Sequence, residues 1–255
     1  MWRRIIILTV LATLLVAFVG ATPASAAPPM LPGMDQMAAQ MAQDTAMLKG
    51  LTGKDFEIAF LQMMIPHHQS AVEMAQLVPG KATHPELVAL AQDIVTSQQQ
   101  EITQMRGWLK DWYGITNPTL TPMAGMDQMM PAMMQMTGAE FEQAFLMMMP
   151  MHHQGASNMA ALAPGRATHP ELLQLAQNIV SSQGQEIEQM RGWAMAWYGF
   201  DPLPMNAGGG MPGLPNTGGG GMAQRTTGAV PTAIIVLGAL LLVGGWLLRR
   251  KTVLR

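Results

Sequence analysis

The chain of 255 residues contains no cysteine. That excludes disulfides, thiolate zinc sites, a cysteine nucleophile and the Cys-x-x-Cys-His attachment of haem, so packing or a ligand must hold the fold together. Aromatic residues make up only 5% of the chain and charged residues only 12%. Basic charge is scarcest between the two ends: residues 27–218 hold seven Lys+Arg against sixteen Asp+Glu, a net of −9. A nucleic-acid binder needs a basic face, so that class is excluded and a cationic partner is favoured. Alternation of period two is nowhere evident, which leaves β-strands without a signal. Catalysis by a serine or cysteine nucleophile has no support in the sequence.

The two ends read as targeting segments. Residues 1–26 form a signal peptide: Trp2-Arg3-Arg4, an apolar run from Ile5 to Val19, then Ala24-Ser25-Ala26 as a small-residue cleavage site. At the other end, a Gly/Pro-rich linker over 201–228 contains Leu214-Pro215-Asn216-Thr217-Gly218. It is followed by an apolar run at 229–248 and a basic tail at 249–255 with Arg249-Arg250-Lys251. Twenty mostly apolar residues can span a bilayer, with the basic cluster on the cytoplasmic side. The set resembles the LPxTG sorting signal of sortase-anchored surface proteins, which implies cleavage between Thr217 and Gly218 and attachment to the cell wall. A retained transmembrane anchor is the alternative. Both predict an exported, extracytoplasmic protein anchored to the membrane or wall by its C-terminal segment.

What lies between the ends is duplicated. Residues 52–114 align without a gap to 137–199 at an offset of 85, with 42 of 63 positions identical. Ala82-Thr83-His84-Pro85-Glu86-Leu87 returns as Ala167-Thr168-His169-Pro170-Glu171-Leu172, and Trp112-Tyr113-Gly114 as Trp197-Tyr198-Gly199. Gly33-Met34-Asp35-Gln36-Met37 recurs as Gly125-Met126-Asp127-Gln128-Met129 at an offset of 92. The chain therefore divides into a first repeat at 33–115 and a second at 122–200, two supersecondary modules rather than a solenoid.

Each repeat reads as helical. Thr52 with Asp55 and Thr137 with Glu140 look like capped helix starts. Phe56, Phe60, Met63, His67, Ala71, Met74 and Val78 share one stripe at helical spacing. Gly80 ends that helix, and His84-Pro85-Glu86 opens the next, with Pro85 suited to its first turn. The second stripe holds Leu87, Leu90, Ala91, Ile94, Gln98, Glu101, Met105, Trp108, Leu109 and Trp112. A connection of about six residues makes an antiparallel hairpin, and two such hairpins close one four-helix bundle. Shorter Met-rich helices precede them at about 35–48 and 126–136. The expected fold is all-α, a ferritin-like antiparallel bundle.

Six histidines fall within the repeats: His67, His68 and His84, then His152, His153 and His169. Neighbours on a helix point about 100° apart, which places His67 mid-stripe and His68 on its flank. Met63 and Met64 lie one turn before the first pair, and Met147, Met148, Met149 and Met151 surround the second. Pro66 and Pro150 should release a backbone carbonyl beside each pair. Counting back from the hairpin centre predicts His67, Met63 or Met64, Gln98 and Glu101 in one layer, with Gln183, Glu186 and Met190 repeating Gln98, Glu101 and Met105. A buried carboxylate is costly unless paired or metal-bound. A buried His–Glu–Gln hydrogen-bond network is the plainer reading of this layer. His84 and His169 read as helix caps rather than ligands.

Methionine supplies 27 residues. Much of it can serve as flexible core filling. Soft thioethers nevertheless select Cu(I), and imidazole accepts Cu(I) or Cu(II), so an exported, acidic Met/His-rich protein suits copper or silver. Zinc prefers Cys or His sets, and a di-iron centre several carboxylates. The candidate metal ligands are His67, His68, Met63, Met64, Glu101, Met105, His152, His153, Met148, Met149, Glu186 and Met190.

The string from Phe60 through His67-His68 to Ala75, with Leu90-Ala91, Ile94, Gln98, Glu101-Ile102, Met105 and Trp108, resembles the bacterial secreted family called domain of unknown function 305. Met149, His152-His153, Met159-Ala160, Gln183, Glu186-Ile187, Met190 and Trp193 continue the likeness in the second repeat. The resemblance implies a ferritin-like bundle made of two hairpins and, because some members are linked to copper, copper as the bound ion. Two departures between the repeats bear on the site: Pro150-Met151 stands for Ile65-Pro66, and Asn158 for Glu73, so Glu73 is no essential ligand. The leading expectation is a surface-anchored protein that sequesters or buffers copper without turnover. A ferritin-like oxidase using His67, Glu101, His152 and Glu186, or a bundle whose polar layer only fixes helix register, are the alternatives.

Overall fold

The computed structural model describes residues 30–203. The leader at 1–26, the Leu214–Gly218 pentapeptide and the apolar run at 229–248 lie outside the described residues. Among the described residues no helix is long and apolar enough to cross a membrane.

Among the described residues six α-helices follow one another: α1 Met34–Lys49, α2 Gly53–Gln76, α3 Pro85–Tyr113, α4 Met126–Gln135, α5 Gly138–Ala160 and α6 Pro170–Trp193. A further wider turn at Ala194–Tyr198 extends α6. Helix α2 pairs with α3 and α5 with α6, and α2 meets α5 across the bundle. These are the two predicted hairpins in one four-helix bundle. The short Met-rich helices are α1 and α4, and α1 packs more on α5, in the other hairpin, than on α2.

The repeats meet at several matching contacts, and at one of them glycine permits a close backbone approach. Gly33 (φ +89°) and Gly125 (φ +80°), each just before its Met-rich helix, lie backbone against backbone. A Cβ on Gly33 would fall 2.3 Å from the Gly125 carbonyl oxygen. At each end of the bundle the loop of one hairpin docks on the start of the other. The Gly53 N–H donates to the Arg166 carbonyl at 2.7 Å, and the Gly138 N–H to that of Lys81 at 2.8 Å. Thr52 and Thr137 occupy the N-cap positions in extended backbone but make no side-chain cap bond, contrary to the expected capping. The first-turn amides turn instead to the facing loop.

The core falls into two apolar clusters. One gathers Ala71, Met74, Val78, Leu87, Ile94, Phe141, Phe145, Met148, Met149 and Met190 with the methionines of α1 and α4. The other gathers Phe56, Phe60, Met64, Met105, Leu109, Met159, Leu172 and Ile179. Each draws on one half of α2 and the opposite half of α5, as antiparallel helices require. His67, His68, Ser70, Gln98, His152, His153 and Gln183 are buried but belong to neither cluster. They form a polar layer at mid-length of the bundle.

Candidate metal centre

Four imidazoles occupy that layer, each at most 1% exposed. Both members of each His-His pair are buried, which one straight stripe would not allow. The explanation is that adjacent residues on a helix face different neighbours. His67 of α2 turns across the bundle to His152 of α5, with ring centroids 3.8 Å apart. His68 turns within its own hairpin to α3, where its Nε2 lies 2.7 Å from Glu101 Oε2. The second repeat copies this, with His153 Nε2 2.6 Å from Glu186 Oε2. The predicted layer is therefore corrected: Glu101 meets His68, not His67, because the bundle's centre is taken by the facing histidine. The oxidase set of His67, Glu101, His152 and Glu186 is likewise not brought together, since both carboxylates are held by the outer imidazoles. Glu101 and Glu186 are also not wholly buried, their side chains being 19% and 18% exposed.

Proton positions follow from the partners. A carboxylate only accepts, so Nε2 of His68 and of His153 carries the proton and donates. The Ser70 hydroxyl donates its one proton to the His67 carbonyl at 2.7 Å. It must therefore accept from His152 Nε2, also at 2.7 Å. In each of these three rings Nδ1 has no partner, and His67 has none at either nitrogen. The amide oxygens of Gln98 and Gln183 are unpartnered as well. Buried polar atoms nearly always find a partner, so this concentration of bare nitrogens in one layer is the unusual feature of the molecule. Burial foremost, then the neighbouring imidazoles, holds His67 and His152 well below the ordinary histidine pKa, keeping both neutral at neutral pH. Neutral imidazole is the form that binds a metal, and an N–H bonded to a carboxylate is the usual outer support of such a ligand.

The remaining candidates separate. Met64 and Met105 are buried in one apolar cluster, and Met148, Met149 and Met190 in the other. Met63 is half-buried and lines a cleft of about 560 Å³ between α1, α2 and residues 119–124, with His67 on its wall. Glu73 is exposed and accepts from Gln69. Among the described residues, no three His, Asp or Glu side chains gather into a group that could hold an ion. Any ligand beyond the facing imidazole pair must come from elsewhere.

His84 and His169 sit at the N-cap positions of α3 and α6, but neither makes a side-chain cap bond. Their imidazoles are latches between hairpins. Glu57 of α2 is wholly buried. Its Oε1 accepts from the Thr168 N–H, the Thr168 hydroxyl and the His169 N–H at 2.5, 2.9 and 2.8 Å. Its Oε2 accepts from His169 Nδ1 at 2.6 Å and from the Tyr113 hydroxyl. Glu142 repeats this with Thr83, His84 and Tyr198. Trp112 stacks on His169 at 3.9 Å and Trp197 on His84 at 3.7 Å. Sequence reasoning missed Glu57 and Glu142, which are the wholly buried carboxylates among the described residues. Their recurrence at the repeat offset, with the recurring Thr-His-Pro, is the signal that could have found them.

A pH dependence follows. Burial pushes the Glu57 and Glu142 carboxyls up, but the tyrosine hydroxyl, backbone and histidine donors outweigh it and hold each at about 2, against an ordinary 4.5. The stability they supply is complete above the ordinary value and is lost as pH falls from there towards 2. His67 and His152 also have lowered values, so the unfolded chain takes up protons that the folded one refuses once pH drops below 6.5. Metal-free protein should therefore melt at progressively lower temperature below about pH 6.5, and more steeply below about 4.5. A melting temperature unchanged between pH 7.5 and 5.5 would refute the histidine contribution.

A family model described as a domain of unknown function, DUF305, matches residues 19–76, 57–143 and 142–231. The chain belongs to the DUF305 family. CopM solved in its Cu(I)-bound form is 36% identical, with 56% of this chain and 98% of CopM covered at a TM-score of 0.51. CopM in an Ag-bound form obtained by soaking is 35% identical, covering 56% and 97% at 0.50. A DUF305 protein from Streptomyces coelicolor, named as a secreted protein, is 30% identical, covering 57% and 95% at 0.50. "Uncharacterized protein L153" of Acanthamoeba polyphaga mimivirus is 38% identical over 52 residues, which are 20% of this chain. The match spans about a third, 34%, of that viral protein's length. The all-α bundle expected from periodicity is thus the observed fold, and these solved structures are its neighbours.

Proposed function

We propose that this DUF305 chain is an exported, surface-anchored protein that sequesters or buffers copper in the central imidazole layer, as Cu(I) or Cu(II), without turnover. The observation behind the reading is the set of four buried imidazoles, each with at least one ring nitrogen that has no hydrogen-bond partner. Left unpaired, such atoms cost free energy; an ion bound between them would satisfy them. The supply of thioethers around the layer and the absence of thiolate favour a soft ion. The structural neighbour CopM has been solved with Cu(I) and with Ag, which supports the same class here. Export rests on the leader at 1–26, and on the naming of the Streptomyces neighbour as secreted. Anchoring rests on the LPNTG segment and the apolar run after it, with either the membrane or the cell wall as partner and sortase as the processing enzyme.

Thermal melting tests the reading. An ion that binds only the folded state at one hundred times its Kd stabilises it by about 2.7 kcal/mol. For a domain of this size that raises Tm by roughly 5–10 °C. Cu(I) should produce such a rise and remain with the protein after desalting. Identical melting with and without Cu(I), and no metal retained, would leave the layer as a device for helix register.

A further inference from the structure

We infer that the duplicated layer holds one soft ion rather than two, and that Met41 of α1 supplies its sulfur ligand beside His67, in the space left by Gly155. The inference rests on the metal-binding reading above and adds which half of the layer is used and by which thioether.

The two halves differ at one decisive position. Ser70 in the first repeat corresponds to Gly155 in the second. The Ser70 hydroxyl closes a chain from His152 Nε2 to the His67 carbonyl. On that side the imidazole N–H is spent in a hydrogen bond. On the other side there is no hydroxyl, and His67 Nε2 is bare.

The vacated space is filled from α1. A Cβ on Gly155 would lie 2.2 Å from Met41 Sδ and 3.1 Å from His67 Nε2. Thioether and bare nitrogen therefore converge on one point, and any side chain at 155 must displace the sulfur. Met41 is 6% exposed, so its sulfur is held inside the fold. Because no three His, Asp or Glu gather among the described residues, a thioether is the donor that completes the facing imidazoles. Sulfur with neutral nitrogen selects Cu(I) or Ag(I) over harder cations. Met133 is the counterpart of Met41 at the offset of 92 and is also buried, and the first-repeat counterpart of Gly155 is Ser70.

Access comes from the same side. His67 lies on the wall of the cleft between α1 and α2, together with Met47, Met63 and Asp44. Asp44 is the charged side chain of that wall, and its carboxylate draws a cation towards the layer. The cleft gives an ion a route past exposed and half-buried thioethers to His67.

The test is an anaerobic Cu(I) titration of the purified protein against a coloured Cu(I) chelator. Wild type should bind one tightly held ion per chain. Met41→Leu should weaken it at least about tenfold, since even outer-shell partners of a metal site are worth that much. Met133→Leu should match the wild type. Gly155→Ser, which copies Ser70, should weaken binding like Met41→Leu. Leu is close to Met in volume, so Met41→Leu decides the matter even if Gly155→Ser fails to fold, with circular dichroism checking each variant. Two equally tight ions per chain, wild-type affinity in Met41→Leu, or an equal loss in Met133→Leu would overturn the inference while leaving metal binding intact. No Cu(I) taken up by the wild type would overturn the metal-binding reading and this inference with it.

Discussion

Glu57→Ala is expected to destabilise the protein by about 3–5 kcal/mol, the usual cost of removing one partner from a buried ionic network. In a domain of this size that lowers Tm by roughly 6–20 °C. The size follows from what is orphaned. Two backbone N–H groups, two hydroxyls and the His169 imidazole all donate to this one carboxylate. They come from the far loop of the other hairpin and from the end of α3, so the residue ties three segments together. Glu142→Ala should cost a similar amount, because the second latch has the same members. His169→Ala should cost less, since the backbone donors remain. Calorimetric melting of the three variants checks the order, and a Glu57→Ala protein that melts with the wild type would refute the latch.

Gly125→Ala is the second large effect. The residue has φ +80°, a region where an L side chain is strained by about 1–3 kcal/mol. Its new Cβ would also fall 2.1 Å from the Gly33 carbonyl oxygen, which is backbone and cannot rotate away. Overpacking of this kind adds about 1–3 kcal/mol. The only relief is separation of the α1 and α4 starts. Met34, Met37, Met126 and Met129, all buried near that crossing, would lose packing. Because α1 carries Met41, copper affinity should fall with stability, although residue 125 is not itself a candidate ligand. The check is Tm together with the protease sensitivity of α1. A melting temperature within a degree of wild type, with α1 still protected, would contradict it.

Much of this was legible in the sequence because the repeat and the helical period are strong signals. The offset of 85 gave two hairpins, and the apolar stripes gave their faces; Phe56, Phe60, Ala71, Met74, Leu87 and Ile94 are buried as the periodicity predicts. The paired histidines stood out because two imidazoles beside methionine on an apolar stripe have few plain explanations. Period alone could not say which neighbour each faces. A helical wheel ranks residues by direction from one axis, whereas His67 and His68 bury themselves against two different helices. Glu57 was invisible for a related reason: it follows Phe56 at the edge of the stripe, and only the docking of a distant loop makes its burial tolerable. Thr52 and His84 show the same limit. Both hold cap positions, but the opposite hairpin supplies the hydrogen bonds that local rules assigned to their side chains. Ser70 against Gly155 was a visible difference whose meaning depends on which histidine stands beside each.

The central claim is that the facing imidazoles, and not scattered methionines, hold the ion. Its most direct test is competition for Cu(I) between a coloured chelator and either the wild type or the His67→Leu/His152→Leu variant, both confirmed as folded. The wild type should strip copper from the chelator, and the variant should do so about tenfold less well or worse. A folded variant that takes copper as tightly as the wild type would contradict it and place binding away from the imidazole layer.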